Sequence, residues 1–219
     1  MISSVSIHGF KSFKSLQDFS LRPLNVLIGP NRSGKTNFLD FWDFLSEAGK
    51  QQLGRAINKR GGVNSVMSWS GESVLKIELH ANIHDASSQP IGFNYVNEIT
   101  RRNYSYDVAL EQLFTSSANS ETPSHNSALL NLAHGKGWSY NRLTGKNEEQ
   151  GEKLQTTELA VAQIRDVAAY PNLDVFRRYL SNLTVHRPFD MRDDAPIRDT
   201  QLVGVRDADL PPTRLSRGG

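Results

Sequence analysis

The sequence predicts an α/β fold in which a strand, a glycine-bearing loop and a helix are followed by an antiparallel β-meander and then by a partial helical lobe. Three observations carry that prediction. Residues 23–49, PLNVLIGPNRSGKTNFLDFWDFLSEAG, pass from an apolar run through a Gly, Pro, Asn and Ser cluster into a segment with Phe38, Leu39, Phe41, Trp42 and Leu45 at helical spacing. Between about Gln51 and Thr157, short alternating runs are broken by turn signals. Beyond Thr157 the period returns to that of helices.

Taken in order, Ser3 to Ile7 alternate apolar and polar residues and read as a strand, and GFKSFKSL follows as a turn with two aromatic anchors. The run PLNVLIG is apolar around Val26, Leu27 and Ile28, the pattern of a strand buried on both faces. The helix begins at about Lys35 and has a natural stop at Gly49. SVLKIELHANI, IGFNYVNEI, NYSYDVAL and GWSYNRLTG then read as a meander, with Tyr104 and Tyr106 favouring strand. The polar stretch TSSANSETPSHNS is a loop. TTELAVAQIRDVA and PNLDVFRRYLSNL read as two helices separated at Pro171, with Thr156 or Thr157 as the cap of the first. The rest is rich in Pro, Asp and Arg and has little periodicity. Two lobes are expected: residues 1–157, and residues 158–219 as a partial helical lobe with an irregular tail. Every lysine lies at or before Lys153, which marks either a lobe boundary near residue 155 or a compositional bias without structural meaning.

At 219 residues the chain can bury a sizeable core, and a formal net charge of +2 gives no global field that would capture nucleic acid or an anionic membrane. The absence of cysteine excludes disulfides and thiolate metal sites and suits a reducing compartment. No stretch approaches the roughly 18 uninterrupted apolar residues of a membrane span, and no secretory leader opens the chain. A cytoplasmic location without a membrane partner is expected.

Gly29, Gly34, Lys35 and Thr36 match G-x-x-x-x-G-K-[ST] in full. The glycines allow backbone N–H groups to turn inward around phosphate oxygens, and the helix that starts at Lys35 adds its positive end to the same anion. Lys35 supplies a mobile charge for the β- and γ-phosphates, and the Thr36 hydroxyl is placed to ligate Mg²⁺.

GPNRSGKTNFLD, preceded by a strand and GFKSF close to the N-terminus, resembles the opening of RecF- and SMC-type ATPases, the RecF-like AAA family ATPases classed with ABC-type heads. In that group the loop reads G-x-N-x-x-G-K-[ST]-N, and Asn31 and Asn37 stand at the matching places. The specific match covers residues 2–48. The resemblance implies a P-loop NTPase lobe of the ABC head type, with ATP and Mg²⁺ held by Gly29, Pro30, Asn31, Arg32, Ser33, Gly34, Lys35, Thr36 and Asn37. It further implies Lys11 as a basic group near the phosphates, and Gln163, at the boundary between the lobes, as a sensor of Mg²⁺ and γ-phosphate beside the metal ligand Thr36. Two heads would sandwich two nucleotides, and the work would be done on DNA, in repair, recombination or defence against foreign DNA.

A working head of this class also needs an apolar strand ending in Asp-Glu, the Asp for Mg²⁺ and the Glu for the attacking water. VLKIELH has a lysine within the run, and GVRDAD has no apolar strand before its acids. The ending LSRGG resembles a signature segment only superficially. The expectation is therefore a truncated product or one piece of a split head, which binds ATP but needs a second head or a chain supplying the missing half for turnover. Two alternatives stay open: a non-catalytic regulatory module acting through a partner chain, and, more weakly, a small-molecule P-loop kinase, which would need an arginine-rich lid.

Lesser signals have plain readings. His80 and His84, in a strand-like run, stand about 13 Å apart, too far to share a metal. Arg60, Gly61 and Gly62 read as a turn. Arg177, Arg178, Arg187 and Arg192 read as a solvated face interleaved with Asp174 and Asp190, with a phosphate-contacting patch as the alternative. Trp42 is expected in the core.

Overall fold

The computed structural model describes residues 1–67, 73–84, 90–116, 128–151 and 154–186. The N-terminal alternation forms a hairpin, β1 (Ile2–Phe10) and β2 (Phe13–Ser20), paired from Phe10 with Phe13 back to Ser4 with Ser20. The turn expected over residues 9–16 is thus only Lys11 and Ser12, with Lys11 at φ 48°. Six further strands follow: β3 (Val74–His84), β4 (Pro90–Arg102), β5 (Ser105–Ser116), β6 (Ala128–Ala133), β7 (Lys136–Asn141) and β8 (Lys146–Gln150). They form one eight-stranded sheet in the order β2-β1-β3-β4-β5-β6-β7-β8, antiparallel at every pairing.

One face of the sheet is covered by helices α1 (Lys35–Gly49), α2 (Leu53–Lys59), α3 (Val63–Val66), α4 (Ala160–Gln163) and α5 (Pro171–Ser181). Alternate residues Leu75, Ile77 and Leu79 of β3 and Phe93 and Tyr95 of β4 point into that layer, where Phe41, Phe44, Leu45, Leu53, Phe176 and Leu180 meet them. Phe10 packs its ring against Phe41 at 5.6 Å and Phe44 at 5.5 Å, which seats α1 on β1. Phe176 stands 5.0 Å from Tyr95 and 5.4 Å from Phe93, which seats α5 on β4. α1 and α5 approach closely at Gly49, where a Cβ would lie 2.9 Å from the Leu180 Cβ. Trp42, expected in the core, is half-buried at its edge, its ring against Phe38 and Phe41.

The structure corrects several expectations. PLNVLIG is not a strand: it runs as an irregular segment into the loop, with Leu24 80%, Val26 73% and Ile28 91% exposed. A strand buried on both faces needs a pairing neighbour, and among the described residues none pairs with it. α2 and α3 replace the start of the expected meander, because helices of seven and four residues are too short to print a period. The helix expected over residues 156–168 is a single turn, α4, and its cap is neither Thr156 nor Thr157. Leu159 is the capping residue, and the N–H groups of Ala160 and Val161 donate instead to the carboxyl of Glu111 on β5. α5 begins at Pro171 as expected.

The compact unit extends over Met1–Val185 and includes α4 and α5. Residues 187–219, including Asp190, Arg187, Arg192, GVRDAD and LSRGG, lie outside the described residues, as does most of TSSANSETPSHNS. Among the described residues no helix is long and apolar enough to cross a membrane.

Candidate functional site

The loop between the exposed segment and α1 takes its shape from two left-handed residues, Arg32 at φ 68° and Gly34 at φ 93°. Gly34 is the N-cap of α1, and no side chain caps the helix or places an acid in its first turn. The first helical bond runs from the Phe38 N–H to the Gly34 carbonyl, 2.9 Å. A helix of 15 residues therefore presents a bare positive end beside Lys35 and Thr36, a good place for an anion. A Cβ on Gly29 would lie 2.9 Å from the Ser33 Oγ, a contact that the serine side chain can relieve by turning.

The Lys35 ammonium is folded over the loop, donating to the carbonyls of Gly29 at 2.7 Å and Pro30 at 2.8 Å and to the Ser33 Oγ at 3.3 Å. Pro30, Asn31, Arg32, Ser33 and Thr36 are exposed, and Thr36 stands in the first turn of α1. A left-handed glycine at the helix start, a cation over the loop and a hydroxyl in the first turn are the groups that a phosphate chain with Mg²⁺ would use.

The β1–β2 turn is fastened to the same end of α1. The Asn37 side-chain amide donates to the Ser12 Oγ at 2.7 Å, and the Lys11 ammonium pairs with Asp40 at 2.5 Å. Phe13 packs edge-on to Phe38, with ring centroids 6.4 Å apart. Asp40 also faces Arg60, whose guanidinium is 3% exposed and bridges Asp40 at 3.2 Å, Asp43 at 3.2 Å and Glu47 at 2.6 Å. Burial works against ionising Asp40 and Glu47, but their cationic partners, Lys11 and Arg60 for Asp40, Arg60 and Lys59 for Glu47, hold both carboxyls below the usual range. The Arg60, Gly61 and Gly62 turn, read from the sequence as a turn alone, thus ends α2 with an arginine built into the core of this charge cluster.

Gln163 is placed elsewhere. Its amide is spent inside its own segment: Oε1 accepts from the Gln155 N–H at 2.8 Å, and Nε2 donates to the carbonyls of Gln155 at 2.9 Å and Glu158 at 3.0 Å. Two residues on, Arg165 donates to Gln51 at 2.8 Å, just past the C-terminal end of α1. A helix of 15 residues is about 22 Å long, so this arrangement does not bring Gln163 to the loop or to Thr36.

Other candidates also find partners. His80 and His84 lie in β3, with His80 Nδ1 2.6 Å from Asn94 Oδ1, and no group of three or more metal-ligating side chains occurs among the described residues. Arg178 pairs with Asp174 at 2.7 Å, and Arg177 pairs with the same carboxylate. VLKIELH forms the first part of β3, where Lys76 pairs with Glu78 at 2.9 Å, and among the described residues no apolar strand ends in Asp-Glu.

A family model described as an AAA ATPase domain matches residues 1–180, from β1 through the loop and the whole sheet into α5. No curated protein matches the chain significantly. With more than half of its length matched, the chain belongs to the AAA ATPase domain family, nucleotide-binding ATPases that typically use Mg²⁺ and occur among SMC- and RecF-like proteins.

Proposed function

We propose that this chain is the nucleotide-binding part of a RecF- or SMC-like head of the ABC type, holding ATP and Mg²⁺ on residues Gly29 to Asn37. The observation that carries this reading is the end of α1: a left-handed glycine cap, no capping side chain, and the Lys35 ammonium over the loop carbonyls. An incoming triphosphate offers Lys35 stronger acceptors than those carbonyls, and the first-turn N–H groups gain an anion. Thr36 supplies a hydroxyl ligand for the cation. Lys11 can turn from Asp40 to a phosphate while Arg60 keeps Asp40 paired.

Hydrolysis in this reading needs acids beyond the described residues, which carry no Asp-Glu strand. The exposed run Leu24 to Ile28 fits the same idea, being an apolar segment suited to pairing with strands from elsewhere. Work on DNA rests on the likeness to RecF- and SMC-type proteins alone. The lack of an Asp-Glu strand among the described residues equally favours a second reading, a P-loop module that binds nucleotide and acts through a partner without turnover.

Calorimetric titration of ATP with Mg²⁺ tests the shared core of both readings, run on the chain and on Lys35→Ala with a phosphate-release assay alongside. We expect binding by the chain and a loss of at least tenfold in affinity in the variant. Turnover restored by a partner supports the head, and binding that no partner converts to turnover supports the module. No binding by the unaltered chain would sink both.

A further inference from the structure

The Ser12 hydroxyl lies where the loop, the helix start and the β1–β2 turn meet. A Cβ on Gly34 would stand 3.3 Å from the Ser12 Oγ and 3.6 Å from the Phe13 ring, so Ser12 sits against the residue that caps α1. The hydroxyl accepts a hydrogen bond from the Asn37 amide at 2.7 Å. A serine hydroxyl has one proton to donate besides the lone pairs with which it accepts. Among the described residues, the Ser12 proton has no acceptor, although the hydroxyl is fixed from one side by Asn37. Ser12 is exposed, so a ligand at the loop can reach it.

The groups around it all favour a negative ligand. The uncapped helix end, Lys35 and Lys11 are positive, and the first acid of α1, Asp40, is already paired with Lys11 and Arg60. A hydroxyl that is held as an acceptor by an amide and left with a spare proton beside an anion site is oriented as a donor to that anion.

We propose that Ser12 is a further phosphate-binding residue of this site, donating its hydroxyl proton to a phosphate oxygen of the nucleotide while Asn37 holds the oxygen in place. This inference rests on the nucleotide-binding reading of the loop. It gives the β1–β2 turn a direct part in binding: the hairpin that opens the chain contributes one wall of the phosphate site, and the Phe13 ring against Phe38 and the Lys11 pair with Asp40 keep that wall on α1.

The test is calorimetry with ATP and Mg²⁺ on the chain, Ser12→Ala, Ser12→Thr, Asn37→Ala and the Ser12→Ala, Asn37→Ala double variant, with thermal melting of each in the absence of nucleotide. The expected result is an affinity about tenfold lower in Ser12→Ala, the scale of one charge-assisted hydrogen bond. Ser12→Thr keeps most of the affinity, because its hydroxyl survives. Ser12→Ala still lowers affinity in the Asn37→Ala background, and the melting temperature without nucleotide is unchanged. Unaltered affinity in Ser12→Ala, with binding abolished in Lys35→Ala, overturns the role of Ser12 and leaves the nucleotide reading standing. A loss that vanishes in the Asn37→Ala background reduces Ser12 to a prop for Asn37 and overturns the phosphate contact. No binding by the unaltered chain overturns both readings together.

Discussion

Glu111 shows how far a single residue can depart from what its sequence position suggests. It occupies a core-facing position of β5, is 1% exposed, and accepts from the Tyr95 hydroxyl at 3.1 Å and from the N–H groups of Ala160 at 2.6 Å and Val161 at 3.1 Å. Those three donors favour the carboxylate, but burial outweighs them and pushes the carboxyl up to about 7 from an ordinary 4.5. Asn97, its direct cross-strand neighbour on β4, carries a buried Oδ1 with no hydrogen-bond partner among the described residues. Between pH 4.5 and 7 the folded chain then holds a proton that the unfolded chain has released, so stability is greater at the acid end. It falls as pH rises through this window and levels off above about 7, by about 3 kcal/mol at most for this group. Urea unfolding of the chain and of Glu111→Gln at pH 5 and pH 8 checks this: the variant is expected to lose much of the difference between the two pH values. An unchanged difference would assign it to other groups. Nothing in the local sequence announces this role, because the helix turn that Glu111 caps lies 49 residues away. Lys35 and Thr36 are the opposite case: their work depends on neighbours in sequence, so the motif could be read directly.

At the scale of elements, what could be read was whatever carries its own period. α1 ends at Gly49 as expected, since five apolar side chains at helical spacing and a glycine stop are local facts. β3 and β4 are likewise legible from alternation, whereas β6 and β8, with six and five residues, are too short and β8 too polar to show it. The junction of α1 with α2 was hidden for another reason: it is made by charge. Arg60, on the turn that ends α2, reaches back to Asp40, Asp43 and Glu47 on α1, and its guanidinium also lies 5.5 Å from the Phe44 ring centroid. Lys59 and Lys11 cover the outer flanks of the same acids. Removing the buried member leaves carboxylates facing one another with only the half-buried Lys11 and the exposed Lys59 to offset them. Arg60→Ala is therefore expected to cost about 3 kcal/mol, the scale for breaking a buried ion pair on one side. Arg60→Lys should recover only part of this, because an ammonium cannot fork to three carboxylates. Chemical denaturation of the three proteins measures it, and a loss below about 1 kcal/mol in Arg60→Ala would show the cluster to be no more than a surface network.

At the scale of the molecule, the sheet and the helix layer cover one another's apolar faces, and the segment before the phosphate loop fits into neither. Leu24, Val26 and Ile28 are as apolar as any core strand, yet they lie in solvent immediately before the phosphate loop. The sequence pattern of this segment is that of a strand buried on both faces, and such a pattern can be read without the strands it pairs with, which is why sequence and structure part company here. The mismatch has a physical consequence. An exposed run of large aliphatic side chains with open backbone groups loses free energy by pairing with another chain, and an unpaired stretch of this kind is a template for association. The chain at micromolar concentration is thus expected to associate through residues 24–28. The double substitution Val26→Ser, Ile28→Ser should reduce that association, read by sedimentation equilibrium over a range of concentrations. Because both side chains are exposed within the chain itself, the same change should leave its unfolding free energy within about 0.5 kcal/mol. Reduced association with unchanged stability places these residues at an interface with another chain. A large loss of stability would instead mean that they are buried within the chain in solution, as the sequence pattern suggests. If neither quantity moves, association does not run through this segment, and the partner strands that its pattern calls for must be sought on a different protein.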